Sequence, residues 1–218
     1  SWGSTLALAY AQTHPERVTR LVLRGLFLAS RDELDWYFDG LRQFLPDAWE
    51  RLRAFAPGKP WTALVQHFHD AVRGDGAEAL AAAAAWNAWE SAVMSIGEPN
   101  AVPPATTGDA ASLARARVQI HYLAHDSFLA DGKLLRDLDR IAHLPATLLH
   151  GAMDFVCPPR TAWRIAQAWP AATLQWVATA KHASSHPDYE RALVAAADAA
   201  RDALRGGADA AAASEGVE

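Results

Sequence analysis

Apolar positions recur at helical spacing from Ser4 to about His14, where Leu6, Ala7, Tyr10 and Ala11 share a face and His14-Pro15 stops the run. The next stretch, Arg17-Val18-Thr19-Arg20-Leu21-Val22-Leu23-Arg24-Gly25, is short, aliphatic and closed by glycine, which predicts a buried strand. A helix, a short loop and an apolar strand make half of a βαβ unit. From Ser30 to about Arg140 the pattern becomes helical, with Trp36, Tyr37, Phe38, Leu41, Phe44, Leu45, Trp49 and Leu52 three and four apart. Pro46, Pro57-Gly58-Lys59-Pro60, Gly74-Asp75-Gly76, Glu98-Pro99-Asn100 and Pro103-Pro104 divide this span into several helices. No strand-like alternation interrupts it.

Strand character returns at Ala146-Thr147-Leu148-Leu149-His150-Gly151, followed by the loop Ala152-Met153-Asp154 and a helix from Pro158 to Trp169. Thr173-Leu174-Gln175-Trp176-Val177 reads as a further strand, the loop Ala178 to Ala183 follows, and a final helix spans about Pro187 to Arg205. The pattern therefore predicts an α/β fold with a mostly parallel sheet, interrupted by an all-helical insertion. Residues 1–29 and 141–205 form the core, 30–140 a helical cap, and 206–218 a disordered tail without periodicity.

Composition narrows the function. The chain has 218 residues, 51% of them hydrophobic, and a net charge of −5, the balance of an ordinary globular protein. Mild acidity without a cluster of Lys and Arg argues against a nucleic-acid partner. No apolar run reaches the length of a membrane span, so no membrane partner is expected. The single Cys157 excludes a disulfide framework and suits a reducing, cytoplasmic compartment. Nine tryptophans are many for this length, and some of their rings are expected to line a pocket. No metal and no cofactor is expected.

The candidate chemistry begins at Ser1-Trp2-Gly3, which matches the second half of a nucleophile elbow, G-x-S-x-G, at the start of a helix. In such a turn the helix start offers free N–H groups to a developing oxyanion, and the residue after the serine, Trp2, supplies one of them. Taken alone, so short a match is common by chance, and the serine is more often an ordinary residue at a helix N-cap. Asp154 follows one strand end and His182 the next, and loops at the carboxyl ends of parallel strands share one edge. Ser…Asp…His, with a helical insertion before the Asp, is the chain order of α/β-hydrolases. Asp154 could instead be an acid at a helix start, and His150 and His186 compete with His182 as structural histidines.

The ordered matches Ser1-Trp2-Gly3-Ser4-Thr5-Leu6-Ala7-Leu8-Ala9-Tyr10-Ala11-Gln12, His14-Pro15-Glu16-Arg17-Val18 and Leu21 to Gly25 resemble the proline iminopeptidase (prolyl aminopeptidase) family of α/β-hydrolases. So do Trp86-Asn87-Ala88-Trp89-Glu90, His121-Tyr122, His150 to Pro158 and the loop around His182, so the resemblance runs from Ser1 to about Arg205. It implies a serine aminopeptidase acting on short peptides with N-terminal proline. Ser1 would be the nucleophile, Asp154 the orienting acid and His182 the general base. It also maps recognition of the substrate's amino terminus onto Glu90, with Gln119 at the usual place of a second acid. Trp86 and Trp89 would either pack on the proline ring or fill the cap core.

The chain departs from that pattern at Gln119, which carries no charge, and at Lys181, where glycine usually precedes the histidine. The family's segments before the elbow serine are absent, so an N-terminally truncated fragment, inactive by itself, is expected. Three other readings remain. One is an esterase or amidase of the same fold, which Gln119 favours. Another is an inactive truncated product or binding protein. The last, an N-terminal-nucleophile hydrolase, is disfavoured by the helical Leu6–Tyr10 stretch, since that class needs a strand there.

Overall fold

The structure is a computed structural model that describes residues 1–97 and 109–215, with side chains through 206. The chain divides into two compact units, one formed by Ser1–Leu28 with Leu134–Glu218 and one by Ala29–Lys133. The breaks expected at Glu98-Pro99-Asn100 and Pro103-Pro104 lie outside the described residues.

In the first unit, α1 (Trp2–Thr13) leads into β1 (Leu21–Arg24). Within the second unit follow α2 (Arg31–Asp35), a π-helical turn at Trp36–Gly40, α3 (Pro46–Arg53), α4 (Trp61–Arg73), α5 (Ala77–Met94) and α6 (Ala110–Ala124). The chain then re-enters the first unit through α7 (Lys133–Arg136), β2 (Ala146–Gly151), α8 (Pro159–Ala168), β3 (Ala172–Val177) and α9 (Pro187–Glu215).

The three described strands form a parallel sheet in the order β1-β2-β3. Leu21 pairs with Ala146 and Arg24 with Leu149, while Ala146 pairs with Ala172 and Gly151 with Val177. Because side chains alternate along a strand, Leu149 and Val177 meet the α9 residues Tyr189, Ala192 and Ala196, and Leu148 faces the other way. Parallel strands covered on both faces explain why β2 is almost continuously apolar and buried. The Tyr189 hydroxyl donates to the Leu149 carbonyl (2.9 Å) and accepts from the Gly25 amide (3.2 Å), which ties the ends of β1 and β2 together. Burial pushes its pKa up to about 12, so it stays a neutral donor. On α1, the Gln12 amide donates to the Leu134 carbonyl at 2.7 Å.

In the second unit every described regular element is helical. The breakers act where their chemistry allows: Pro46 opens α3 at a position that needs no N–H, Pro60 precedes α4, and Gly76 precedes α5. Trp61, Leu64, Val65, Phe68 and Val72 make one buried stripe along α4. Phe38 stacks on Trp61 with ring centres 5.1 Å apart, and Trp49, Phe68, Trp86 and Trp89 complete an aromatic core. Arg117 of α6 closes the end of α4 by donating to the carbonyls of Val72 (2.6 Å) and Gly74 (2.8 Å). At the base of this unit, the Arg31 amide donates to the Asp131 carboxylate at 2.9 Å.

The final helix differs from the sequence expectation. It runs to Glu215, whereas the pattern ends it at Arg205 and leaves 206–218 as a disordered tail. Alanines at 208 and 210–213 favour helix intrinsically, and intrinsic preference leaves no mark in a hydrophobic period.

Candidate active site

The two glycines that bound the site explain how its loops come close. A side chain on Gly151, the last residue of β2, would collide with the backbone carbonyls of Ala180 and Lys181, so only glycine lets the loop before His182 lie against the strand end. Gly25, one residue after β1, has φ of +54°. A Cβ there would stand 3.3 Å from His182 Cε1 and 3.4 Å from the Ser1 nitrogen. Ser1 and the His182 ring thus flank the same glycine.

Ser1 occupies the N-cap position of α1 without using its side chain to cap. Its carbonyl accepts from Ser4 Oγ at 2.6 Å, and its nitrogen donates to the Arg24 carbonyl at 3.1 Å. Ser4 Oγ also accepts from the Phe27 amide (3.2 Å), and Thr5 Oγ1 donates to the Phe27 carbonyl (2.7 Å). These bonds stitch the start of α1 to the loop after β1. Trp2 is the first residue of α1, so its backbone N–H lies at the positive end of the helix dipole.

Asp154 lies on the loop after β2 and is 2% exposed. Its Oδ1 accepts from the amides of Val156 (3.0 Å) and Cys157 (2.9 Å), and its Oδ2 accepts from His182 Nδ1 at 2.8 Å. With a carboxylate as acceptor, His182 carries its proton on Nδ1 and leaves Nε2 with a lone pair. His182 is 6% exposed, so this orientation is held inside protein rather than by water. The structure thus brings together Asp154 and His182, and places Ser1 beside the same glycine as the imidazole. An imidazole so oriented can take a proton from a hydroxyl and return it to a leaving group.

Two residues support the site through partners that the sequence does not reveal, one of them His150, already a candidate structural histidine. His150 is fully buried, with Nδ1 accepting from the Leu26 amide (3.1 Å) and Nε2 donating to the Cys157 carbonyl (2.9 Å). It braces the Asp154 loop against the loop after β1. Burial pulls its pKa below the ordinary histidine value, overriding the opposite effect of Asp154, whose Oδ2 is 3.7 Å away. Arg24, the last residue of β1, donates from Nη1 to the His182 carbonyl at 2.6 Å. Both act across more than a hundred residues, and no local spacing announces them.

The remaining candidates belong to the helical unit. Trp86 and Trp89 are each 1% exposed and sit in its aromatic core, one of the two uses the sequence leaves open. Trp86 Nε1 donates to Gln119 Oε1 at 2.9 Å, and Gln119 Nε2 donates to Glu90 Oε1 at 3.4 Å. The Trp89 indole N–H is buried without a hydrogen-bond partner among the described residues. Glu90 is half-buried.

Residues 1–189 match the model of the family described as the alpha/beta hydrolase fold. The chain is 42% identical over 201 residues to a proline iminopeptidase of Xylella fastidiosa (strain Temecula1 / ATCC 700964), covering 91% of this chain and 64% of that protein. It is 40% identical over 200 residues to one of Arabidopsis thaliana, covering 90% of this chain and 53% of that protein. It is 38% identical over 203 residues to one of Neisseria gonorrhoeae, covering 91% and 64%. The chain therefore spans less than two thirds of the length of these relatives. No described helix is long and apolar enough to cross a membrane. A parallel sheet, paired Asp and His on successive strand-end loops, and a family match across most of the chain lead to one conclusion: this protein belongs to the α/β-hydrolase fold family.

Proposed function

We propose that the protein is a serine aminopeptidase that releases N-terminal proline from short peptides through an acyl-enzyme. The observation that carries this reading is the 2.8 Å bond from His182 Nδ1 to Asp154, which leaves Nε2 as a base, with Ser1 beside the same glycine. Relatives named proline iminopeptidases supply the substrate class.

In this reading His182 Nε2 takes the Ser1 hydroxyl proton as Oγ attacks the carbonyl carbon of the proline residue. The oxyanion is met by the Trp2 N–H at the positive end of α1. His182 then gives the proton to the departing amine, and the peptide C–N bond breaks. Water, deprotonated by the same imidazole, hydrolyses the prolyl ester and restores Ser1. Asp154 holds the imidazole tautomer and stabilises its cationic form. Glu90 supplies the negative charge for the substrate's secondary ammonium, with Gln119 as its neutral neighbour.

A second reading, an esterase or amidase of the same fold, is favoured by Gln119. The Trp86 N–H and the Glu90 carboxylate both engage its amide, so it is a settled part of the helical unit. The deciding experiment labels a chain extended to the full length of these relatives with a serine-directed phosphonate and compares proline amides with N-acetylated proline amides and simple esters. Labelling of Ser1, preference for the free amine and loss of turnover in Ser1→Ala support the aminopeptidase. Labelling at Ser4 or turnover surviving Ser1→Ala overturns the mechanism, and equal rates on blocked and free substrates overturn the specificity.

A further inference from the structure

Outside the candidate active site, three histidines of the helical unit converge. His121, in the last turn of α6, and His125, its C-cap residue, stand four apart, the spacing that puts two side chains on one helix face. His69 of α4 faces them, and one nitrogen from each of the three rings falls within 4.8 Å of the others. Ring centres are 4.4 Å apart for His121 and His125, 5.7 Å for His69 and His121, and 5.3 Å for His69 and His125. We propose that His69, His121 and His125 form a binding site for a borderline divalent transition-metal cation, Zn²⁺ above all, that clips the end of α6 to α4.

Two of the rings already have polar neighbours of the kind that support metal ligands. His125 Nδ1 donates to the His121 carbonyl at 2.8 Å, which fixes the tautomer and leaves Nε2 as the ligand atom. Phe128 stacks on His125 with an interplanar angle of 10° and centres 5.3 Å apart, which restrains the ring. Beside His69 Nδ1 stand the Gln66 amide (3.3 Å) and Asp70 Oδ1 (3.6 Å). The Gln66 atom is its Nε2, which donates to Nδ1 in one tautomer, whereas the Asp70 oxygen suits an Nδ1–H, the tautomer that leaves Nε2 as the ligand atom.

Three imidazoles suit Zn²⁺, Cu²⁺ or Ni²⁺ rather than Mg²⁺ or Ca²⁺, which prefer oxygen. Tetrahedral Zn²⁺ with Zn–N bonds of about 2.0–2.1 Å needs nitrogens roughly 3.3 Å apart. The exposed His121 can shorten its distances to the other two rings by side-chain rotation. The carboxyl end of a helix, with its unpaired carbonyls and negative dipole end, also favours a cation. Water would complete the tetrahedron. The site depends on neither Ser1 nor Glu90 and stands apart from the peptidase reading.

The test is titration of the folded 218-residue chain with ZnCl₂ by calorimetry and with CoCl₂ by visible absorption. The expected result is one equivalent bound, tetrahedral-type Co²⁺ bands that Zn²⁺ displaces, and a Zn²⁺-dependent rise in melting temperature. His125→Asn, at a helix end where asparagine is well tolerated, and His121→Gln should each weaken binding about 100-fold or more, since even an outer-shell partner is worth 10–100-fold. His67→Gln, on α4 but outside the cluster, should bind like the unaltered chain. Absence of saturable binding, binding that survives His125→Asn and His121→Gln, or an equal loss in His67→Gln overturns the proposal.

Discussion

The Arg24 guanidinium donates a 2.6 Å hydrogen bond to the backbone carbonyl of His182, 158 residues further along the chain. One end of a strand thereby holds the loop that carries the imidazole. Arg24→Met keeps the aliphatic stem and removes the donor, so the loop loses its anchor while the sheet keeps its packing. A displacement of about 1 Å at a reacting group costs on the order of 10²-fold. In a chain extended to the full length of its relatives, the expected outcome is a fall of that size in kcat with little change in KM, and partial recovery in Arg24→Lys. A lower melting temperature with unchanged kcat would leave Arg24 a purely structural residue.

Asp154→Asn should be more damaging than its small change in shape suggests. The amide can still meet His182, but it can present N–H where the carboxylate accepts, which favours the tautomer with the proton on Nε2. Losses of about 10⁴ in kcat accompany that reversal in serine hydrolases. Steady-state kinetics together with an unchanged circular dichroism spectrum would check it. Activity within tenfold of the parent would remove Asp154 from the mechanism.

His150 sets a pH dependence of stability. Burial lowers its pKa, so the folded chain holds it neutral while the unfolded chain takes up a proton below its ordinary pKa of 6.5. The unfolded state then binds more protons, and stability falls as pH drops from 6.5 toward the folded pKa, by up to about 1.4 kcal/mol per pH unit. Above 6.5 this contribution is fully present. Glutamine can accept from Leu26 or donate to Cys157 without titrating, so His150→Gln should flatten that part of the profile. Urea midpoints on both sides of 6.5 measure it, and an unaltered slope would sink the assignment.

Glu90 and Gln119 give the specificity prediction. Glu90→Gln should reduce kcat/KM for a proline amide by about 10-fold or more while sparing its N-acetylated analogue, because only the free amine has a charge to pair. Gln119→Glu keeps an oxygen acceptor for the Trp86 N–H but replaces the 3.4 Å donation to Glu90 with two facing carboxylates. Free-amine selectivity should rise, with a steeper pH dependence as one carboxyl is pushed up. Equal effects on blocked and free substrates would make Glu90 a structural residue and favour the esterase reading.

Much of the fold was legible because strands and helices announce themselves by period. The β2 limits, Ala146–Gly151, coincide with the apolar run, and β3 begins one residue earlier than the run predicts. The approach of Asp154 to His182 was legible because both follow strands of one parallel sheet. His150 was legible as a structural histidine, but its bond to Leu26, like that of Arg24 to His182, was not, because those partners are 124 and 158 residues away and no local pattern encodes such pairs. The π-helical turn at Trp36–Gly40 was also invisible, since its aromatics fit an ordinary helical stripe. The spacing His121-x-x-x-His125 could have been read as a ligand pair, but His69 becomes its partner only when α4 packs on α6.

The contact between the Arg31 amide and the Asp131 carboxylate has a consequence for folding order. Pairing β1 with β2 through a flexible excursion of this length would cost about 4 kcal/mol of loop-closure entropy. Once the helical unit is folded its two ends lie within a hydrogen bond of each other, and the sheet experiences it as little more than a tight connection. Forming the helices first, from contacts close in sequence, thus removes most of the kinetic penalty for the late parallel pairing. The same closed neck makes the helical unit an exchangeable cassette. A different insertion could be spliced between β1 and β2, changing what is recognised while the register of the sheet, and the Asp154–His182 pair built on it, stays where it is.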